Sequence, residues 1–355
     1  MRIAQVAPLF ESVPPRRYGG TERVVSYLTE ELVRQGHEVT LFATGDSRTS
    51  ARLVPVVDGP LRGDPLWLVH ALIQVEKVFR QSDDFDVIHF HGDGVHYPLL
   101  REVWTPVVTT LHGRLDLPGL QRLYRVFSHA SVVSISDAQR TPLPHARWVG
   151  TVHHGLPLTL YRPGSGTGGY LAFLGRISPE KRLDRAVEIA RRVGLPLRVA
   201  AKVDPFDRAY FEREIEPLLA GPGVEYLGEI GDAEKVDFLG EAGALLFPID
   251  WPEPFGLAMI ESMACGTPVL AFRGGAVEEV LRPGVSGAIV DSVDEAVAAL
   301  PGVLALDRTR CRQEFERSFS VARMAQGYVR IYERLARSPR DVDGPGLSAG
   351  AASHG

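Results

Sequence analysis

The chain has 355 residues, 45% of them hydrophobic, enough to bury about two separate cores. Its 39 Lys and Arg against 44 Asp and Glu give a net charge of -5, so no cationic excess exists to neutralise a nucleic-acid backbone. Cys265 and Cys311 are too few for a disulfide scaffold or a thiolate zinc centre, and no run of about 18 apolar residues offers a membrane span, so a cytoplasmic protein is expected, with weak peripheral membrane contact allowed.

In chain order, an apolar run over 2–7 predicts a strand and the amphipathic stretch 21–35 predicts a helix. Between them, Arg16-Arg17-Tyr18-Gly19-Gly20-Thr21-Glu22-Arg23 pairs glycines, which allow close backbone approach, with a helix start, which favours anions. The spacing is not that of a G-x-G-x-x-G fingerprint, which weakens a dinucleotide oxidoreductase reading. Further strands are predicted at 38–43, 87–90, 107–111, 132–135 and 148–152. Two of them run into histidines, His89 and His91 in one case and His112 in the other, where a parallel sheet would aim them at a ligand. His89 and His91 share one strand face but have no third or fourth ligand at suitable spacing, so a structural pair is expected.

Gly and Pro crowd 154–169, just after His153 and His154, and apolar periodicity stops there. A second series then runs through strands at 170–174, 197–201, 224–227, 244–248, 269–272 and 288–290, with helices at 183–193, 210–219 and around Glu261. Two α/β series imply two Rossmann-like domains facing a cleft, over 1–160 and 161–319. A helical pattern follows at 320–337, and 338–355 has almost nothing to bury, so it is expected to be a disordered tail.

Two constellations of the second series carry chemistry. Leu174-Gly175-Arg176-Ile177-Ser178-Pro179-Glu180-Lys181 places Arg176 and Lys181 in a loop at the carboxyl end of a strand, where two cations can neutralise a diphosphate in place of a divalent metal. Glu253-Pro254-Phe255-Gly256-Leu257 opens a helix whose first free amides are expected from Phe255 to Leu257, with Glu261 about five residues in, roughly 8 Å along the axis. Carboxylates flanking an anion cradle suit a nucleotide sugar, with a diphosphate in the middle and vicinal hydroxyls at both ends. The Asp84-Phe85-Asp86 and Asp341-Val342-Asp343 pairs lie away from the ligand ends of the strands, and no metal or other cofactor is expected.

The run from Glu253 to Glu261 resembles the E-x7-E motif of the retaining glycosyltransferases of family 4, and the segment from Gly175 to Lys181 resembles that family's G-R-x-S-x-E-K motif. The resemblance implies the GT-B fold, with an acceptor-binding first domain, a donor-binding second domain and the last helix crossing back to brace the first. It implies that Glu253 contacts the donor sugar, Glu261 the ribose, Arg176 and Lys181 the diphosphate, and Gly19 and Gly20 the donor phosphate or the acceptor. It also implies that His112 lies beside the donor sugar and that Gly228 and Glu229 hold the base through backbone contacts, with uracil the default. His153 and His154 stand where the family often has Asn-Gly. The expected activity is metal-independent transfer from a nucleoside diphosphate sugar to an acceptor hydroxyl. The alternatives are a UDP-sugar epimerase of the same fold and a non-catalytic nucleotide-sugar-binding protein.

Overall fold

The computed structural model describes residues 1–17, 19–92 and 94–337. The tail expectation for 338–355 and the Asp341-Val342-Asp343 pair lie outside them, as do Tyr18 and Asp93.

The first half runs β1 (Arg2–Val6), α1 (Gly20–Arg34), β2 (Glu38–Thr44), β3 (Arg52–Val57), α2 (Trp67–Phe79), β4 (Val87–His91), β5 (Val107–Thr110), α3 (Leu120–Val126), β6 (Ser131–Ser134) and β7 (Arg147–Thr151). These strands form one parallel sheet in the order β3-β2-β1-β4-β5-β6-β7. Every residue of β4 is buried, as expected for a strand covered by helices on both faces.

The second half runs β8 (Leu171–Ile177), α4 (Leu183–Val193), β9 (Leu197–Val203), β10 (Val224–Gly228), α5 (Asp232–Gly240), β11 (Ala244–Phe247), α6 (Leu257–Ala264), β12 (Val269–Phe272), α7 (Val277–Val280), β13 (Gly287–Val290), α8 (Val293–Leu304) and α9 (Arg308–Ser318). Its parallel sheet has the order β10-β9-β8-β11-β12-β13. Strand order reverses between β1 and β4 in the first sheet and between β8 and β11 in the second. Loops leaving the carboxyl ends there part to opposite sides, which opens a crevice at each reversal.

The final helix, α10 (Val321–Arg337), buries Val321, Met324, Ala325, Tyr328, Ile331 and Tyr332 at three- and four-residue spacing. That stripe packs with Ile3, Val24, Leu28, Val87 and Val108, so α10 crosses back onto the first sheet. Its entry is tied down by Leu156, whose amide donates to Phe319 and whose carbonyl accepts from Val321, each at 2.9 Å. Gly155 permits this approach, because a Cβ there would lie 2.4 Å from the Ser320 carbonyl oxygen.

Four local expectations need correction. β3 and α2 escape the sequence patterns: β3 is an edge strand interrupted by Pro55, and α2 is apolar around most of its circumference, leaving Leu68, Val69, Leu72 and Ile73 exposed. The helix expected at 210–219 is broken into a single turn, a π-turn over Phe211–Ile215 and a last turn over Glu216–Leu219. β8 continues to Ile177, so Arg176 belongs to the strand's last residues rather than to the loop after it. α6 starts at Leu257, two residues later than expected, because Gly256 at φ +88 caps it in the left-handed region. Among the described residues no helix is long and apolar enough to cross a membrane.

Candidate active site

The crevices of the two sheets meet in one cleft of about 870 Å³. Gly19, Gly20 and His112 reach it from the first half, and Arg176, Lys181, Glu229, Glu253, Phe255, Gly256, Leu257 and Glu261 from the second. Gly228 does not border it. Its φ of +70 turns the chain so that Glu229 and Ile230 reach the wall instead.

Glu253 and Lys181 come from the loops on either side of the β8/β11 reversal. Lys181 pairs with Glu253 Oε2, which also accepts from the Trp251 indole at 3.1 Å. The ammonium lies 5.0 Å from the Trp251 ring centroid, whose ring Arg114 of the first half approaches at 5.5 Å. Arg176 donates to Glu180 at 2.6 Å, and against partial burial a backbone amide and then the Arg176 charge hold the Glu180 carboxyl below its ordinary range.

Glu261 projects from the second turn of α6 and is buried. Burial alone would favour its neutral form, but Lys235 at 2.8 Å outweighs it, with support from Arg23 and the Tyr161 hydroxyl at 3.0 Å, and its carboxyl is held below the usual range. Both bonds fall on Oε1. Each glutamate therefore commits one oxygen to protein donors, Oε2 in Glu253 and Oε1 in Glu261, while the other accepts no hydrogen bond among the described residues.

Between the two carboxylates lies the amino end of α6. The amides of Leu257 and Ala258 have no intrahelical acceptor, while Met259 N bonds Gly256 O at 3.0 Å. Counted from Leu257, Glu261 sits four residues on, about 6 Å along the axis rather than 8 Å. The amino end of α1 faces it from the first half: a Cβ on Gly20 would stand 3.5 Å from Leu257 Cδ1. Two positive helix ends thus converge on one point, which favours an anion there. Gly256→Ala would force an L-residue to φ +88 and set its Cβ 2.5 Å from Met259 Cε. We expect a stability loss of about 1–2 kcal/mol in denaturant titration, with weakened nucleotide binding.

Several cleft residues carry no sequence signal. Arg23 on α1 pairs with Asp232 at the start of α5, and although burial opposes its charge this carboxylate raises its pKa. Lys235 stands one turn further along α5. Nothing in the sequence brings Arg23, Lys235, Tyr161 and Glu261 together, because they lie on four separate segments. Glu261→Met would leave the mostly buried Lys235 with, among the described residues, only Asp232, at 3.7 Å, as counter-charge. The expected cost is about 3 kcal/mol in a denaturation curve, largely recovered in the Glu261→Met/Lys235→Met double variant.

The four histidines in doubt separate by position. His91 and His154 border the cleft with His112, whereas His89 lies deeper. His112 meets His91 at 3.0 Å and stacks on His154 with ring centroids 5.3 Å apart. Burial pushes His112 down to about 3 and, with mutual repulsion, holds His89, His91 and His154 well below the ordinary value. His153 bonds Glu279 at 3.1 Å, and Glu279 also accepts from the amides of Asp137 and Ala138 at 2.8 and 2.7 Å, tying the halves together below the cleft. Asp86, of the first Asp-x-Asp pair, is engaged by Arg2 at 2.9 Å.

Residues 164–314 match the family described as Glycosyl transferases group 1, and residues 18–141 match Glycosyltransferase Family 4, together most of the chain. The phosphatidyl-myo-inositol mannosyltransferase of Mycolicibacterium smegmatis is 27% identical, over 95% of this chain and 94% of its own. Among solved structures, sucrose-phosphate synthase from Thermosynechococcus elongatus superposes with a TM-score of 0.77 at 20% identity, covering 94% of this chain and 99% of that one. Anabaena HepE in complex with UDP gives 0.73 at 16% identity, covering 94% and 100%. These neighbours share the two-domain GT-B fold.

Proposed function

Because the chain belongs to the glycosyltransferases of family 4, we propose that it moves a sugar from a nucleoside diphosphate sugar to an acceptor hydroxyl with retention of configuration, the second domain holding the donor and the first the acceptor. The observation that carries this reading is the pair of half-engaged glutamates around the amino end of α6. Glu253 Oε1 would accept from hydroxyls of the donor sugar and Glu261 Oε2 from the ribose, with the diphosphate between them at the amides of Leu257 and Ala258.

Lys181 has three N–H donors and gives one to Glu253, so it can hold its carboxylate and a phosphate oxygen together. With Arg176 it supplies the positive charge that lets the diphosphate depart, the part a divalent metal plays in other transferases. Glu253 pairs with Lys181 and is assigned to the sugar hydroxyls, and among the described residues we assign no side chain the part of a covalent nucleophile. The chemistry is accordingly departure of the diphosphate to an ion-pair-like transition state, with attack on the same face.

Uridine diphosphate is our first choice of leaving group, since one structural neighbour is described in complex with UDP, and the mannosyltransferase relative makes a mannosyl donor a natural second trial. Two buried, unpaired cysteines fit a cytoplasmic setting. The test is acceptor-free turnover of UDP-glucose and GDP-mannose followed by proton NMR. Free sugar released first as the α-anomer supports retaining transfer to water. Release first as the β-anomer would overturn retention, and an epimerised nucleotide sugar without release would favour the epimerase.

A further inference from the structure

Behind His112 a line of hydrogen bonds leaves the cleft, crosses the interior of the first sheet and ends on α10. His112 Nε2 meets His91 Nδ1 at 3.0 Å, His91 Nε2 meets Gln5 Oε1 at 2.6 Å, and Gln5 Nε2 donates to the Tyr332 hydroxyl at 3.1 Å. The same hydroxyl meets His89 Nδ1 at 2.6 Å, His89 Nε2 meets Thr110 Oγ1 at 2.7 Å, and Thr110 donates to the Tyr328 hydroxyl at 3.1 Å. Gln5, His89, Thr110, Tyr328 and Tyr332 are 0% exposed and His91 is 1% exposed, so bulk water does not compete for these bonds. Neighbouring strands β1, β4 and β5 supply the middle of the line and α10 supplies both tyrosines.

Such a line has a direction. A neutral imidazole carries one N–H and one lone pair, and a phenol has a single proton. Gln5 turns its oxygen to His91 and its amide nitrogen to Tyr332. Tyr332 therefore accepts from Gln5 and gives its own proton to His89 Nδ1. His91 must carry its proton on Nε2, where Gln5 receives it, and accept at Nδ1. His112 then donates from Nε2 and keeps a lone pair on Nδ1, a buried atom with no hydrogen-bond partner among the described residues. Burial keeps all three rings neutral, each with one N–H and one lone pair.

We propose that Gln5 and Tyr332 are positioning residues for the transfer reaction: through His91 they hold His112 in the Nε2–H tautomer, so that the ring carries no proton on Nδ1 beside the bound sugar. The placement of the sugar beside His112 rests on the donor-site reading above, whereas the tautomer does not. A buried amide turned the other way would reverse every bond in the line and make His112 Nδ1 a donor. Tyrosine at position 332, rather than an apolar residue of equal size, gives α10 a chemical part in the cleft as well as a packing one.

The test is a two-bond nitrogen–proton spectrum of the full chain labelled with 15N-histidine, with the His112 signals assigned by their loss in His112→Asn. The expected pattern is Nε2–H at neutral pH. Tyr332→Phe and Gln5→Met should each shift His112 toward a mixture of tautomers. Tyr328→Phe, which removes an equally buried hydroxyl from the same helix beyond His89 and Thr110, should leave the pattern unchanged. A wild-type His112 found as Nδ1–H or as the cation would overturn the proposal without any variant. So would an unchanged pattern in both Tyr332→Phe and Gln5→Met, or an equal shift in Tyr328→Phe, which would mark a packing effect. None of these outcomes touches the donor-site reading, which stands or falls on nucleotide binding and on the products of turnover.

Discussion

Lys181→Ala should lower sugar-transfer turnover by about 100-fold or more, the loss expected when one preorganised donor to a developing anion is removed. The size follows from position. Lys181 lies in the loop after β8, on one side of the strand reversal, and is mostly buried against Trp251 and Phe247, where charge is weakly screened by water. A diphosphate departing at the amides of Leu257 and Ala258 gains charge as the sugar bond breaks, so a cation held there acts more strongly on the transition state than on the bound donor. The turnover constant should consequently fall more than donor affinity does. Lys181→Arg keeps the charge but replaces a compact ammonium by a planar fork in a space bounded by Trp251 and Glu253, and should recover only part of the loss. Steady-state rates with UDP-glucose or GDP-mannose, beside nucleotide affinity by calorimetry, provide the check. Unchanged turnover in Lys181→Ala would remove the lysine from the mechanism.

The second large effect is loss of stability in mild acid. His89, His91, His112 and His154 form one cluster whose folded pKa values lie below the ordinary 6.5. Above that value neither the folded nor the unfolded chain protonates them, and they make stability independent of pH. Below it the unfolded chain takes up protons that the folded cluster refuses, so unfolding becomes easier as pH falls, until the folded values are reached, about 3 for His112. Each histidine contributes at most about 1.4 kcal/mol per pH unit, so the four together approach about 5 kcal/mol per unit below about pH 5.5. Glu261 and Glu279 act lower down: their folded values are depressed, so their stabilisation is present above the ordinary carboxylate value and disappears as pH falls through the folded one. Denaturant titrations at pH 7.5, 6.0 and 5.0 should show a steepening decline, with a smaller slope in His91→Gln. A flat profile between pH 7 and 5 would contradict the buried neutral cluster.

How far the sequence reveals this molecule depends on the range of the interactions concerned. The strand cores at Val87–His91 and Val269–Phe272 are short apolar runs bounded by turn residues, and the stripe of Val321–Arg337 has clear helical spacing, so both are legible locally. Trp67–Phe79 is not, since its exposed Leu68, Val69, Leu72 and Ile73 erase the amphipathic period. Glu253, Glu261, Arg176 and Lys181 are legible as motifs because each pair lies within one short segment. The contacts that complete the site join distant positions: Arg23 with Asp232, Tyr161 and Lys235 with Glu261, and Gln5 with Tyr332. Only the path of α10 and the facing of the two sheets brings these together, and no local pattern records either. The start of α6 departs from the local pattern for a smaller reason, since the left-handed Gly256 delays the helix by two residues.

The central claim, a nucleoside diphosphate held between Glu253 and Glu261 by Lys181, Arg176 and the amino end of α6, is tested most directly by calorimetric titration of the full chain with UDP, GDP and ADP in the presence of a chelator. We expect saturable binding of one of the three at one site per chain, weakened in Lys181→Ala and in Glu261→Gln. Failure of all three to bind, or binding that both variants leave intact, would contradict the account.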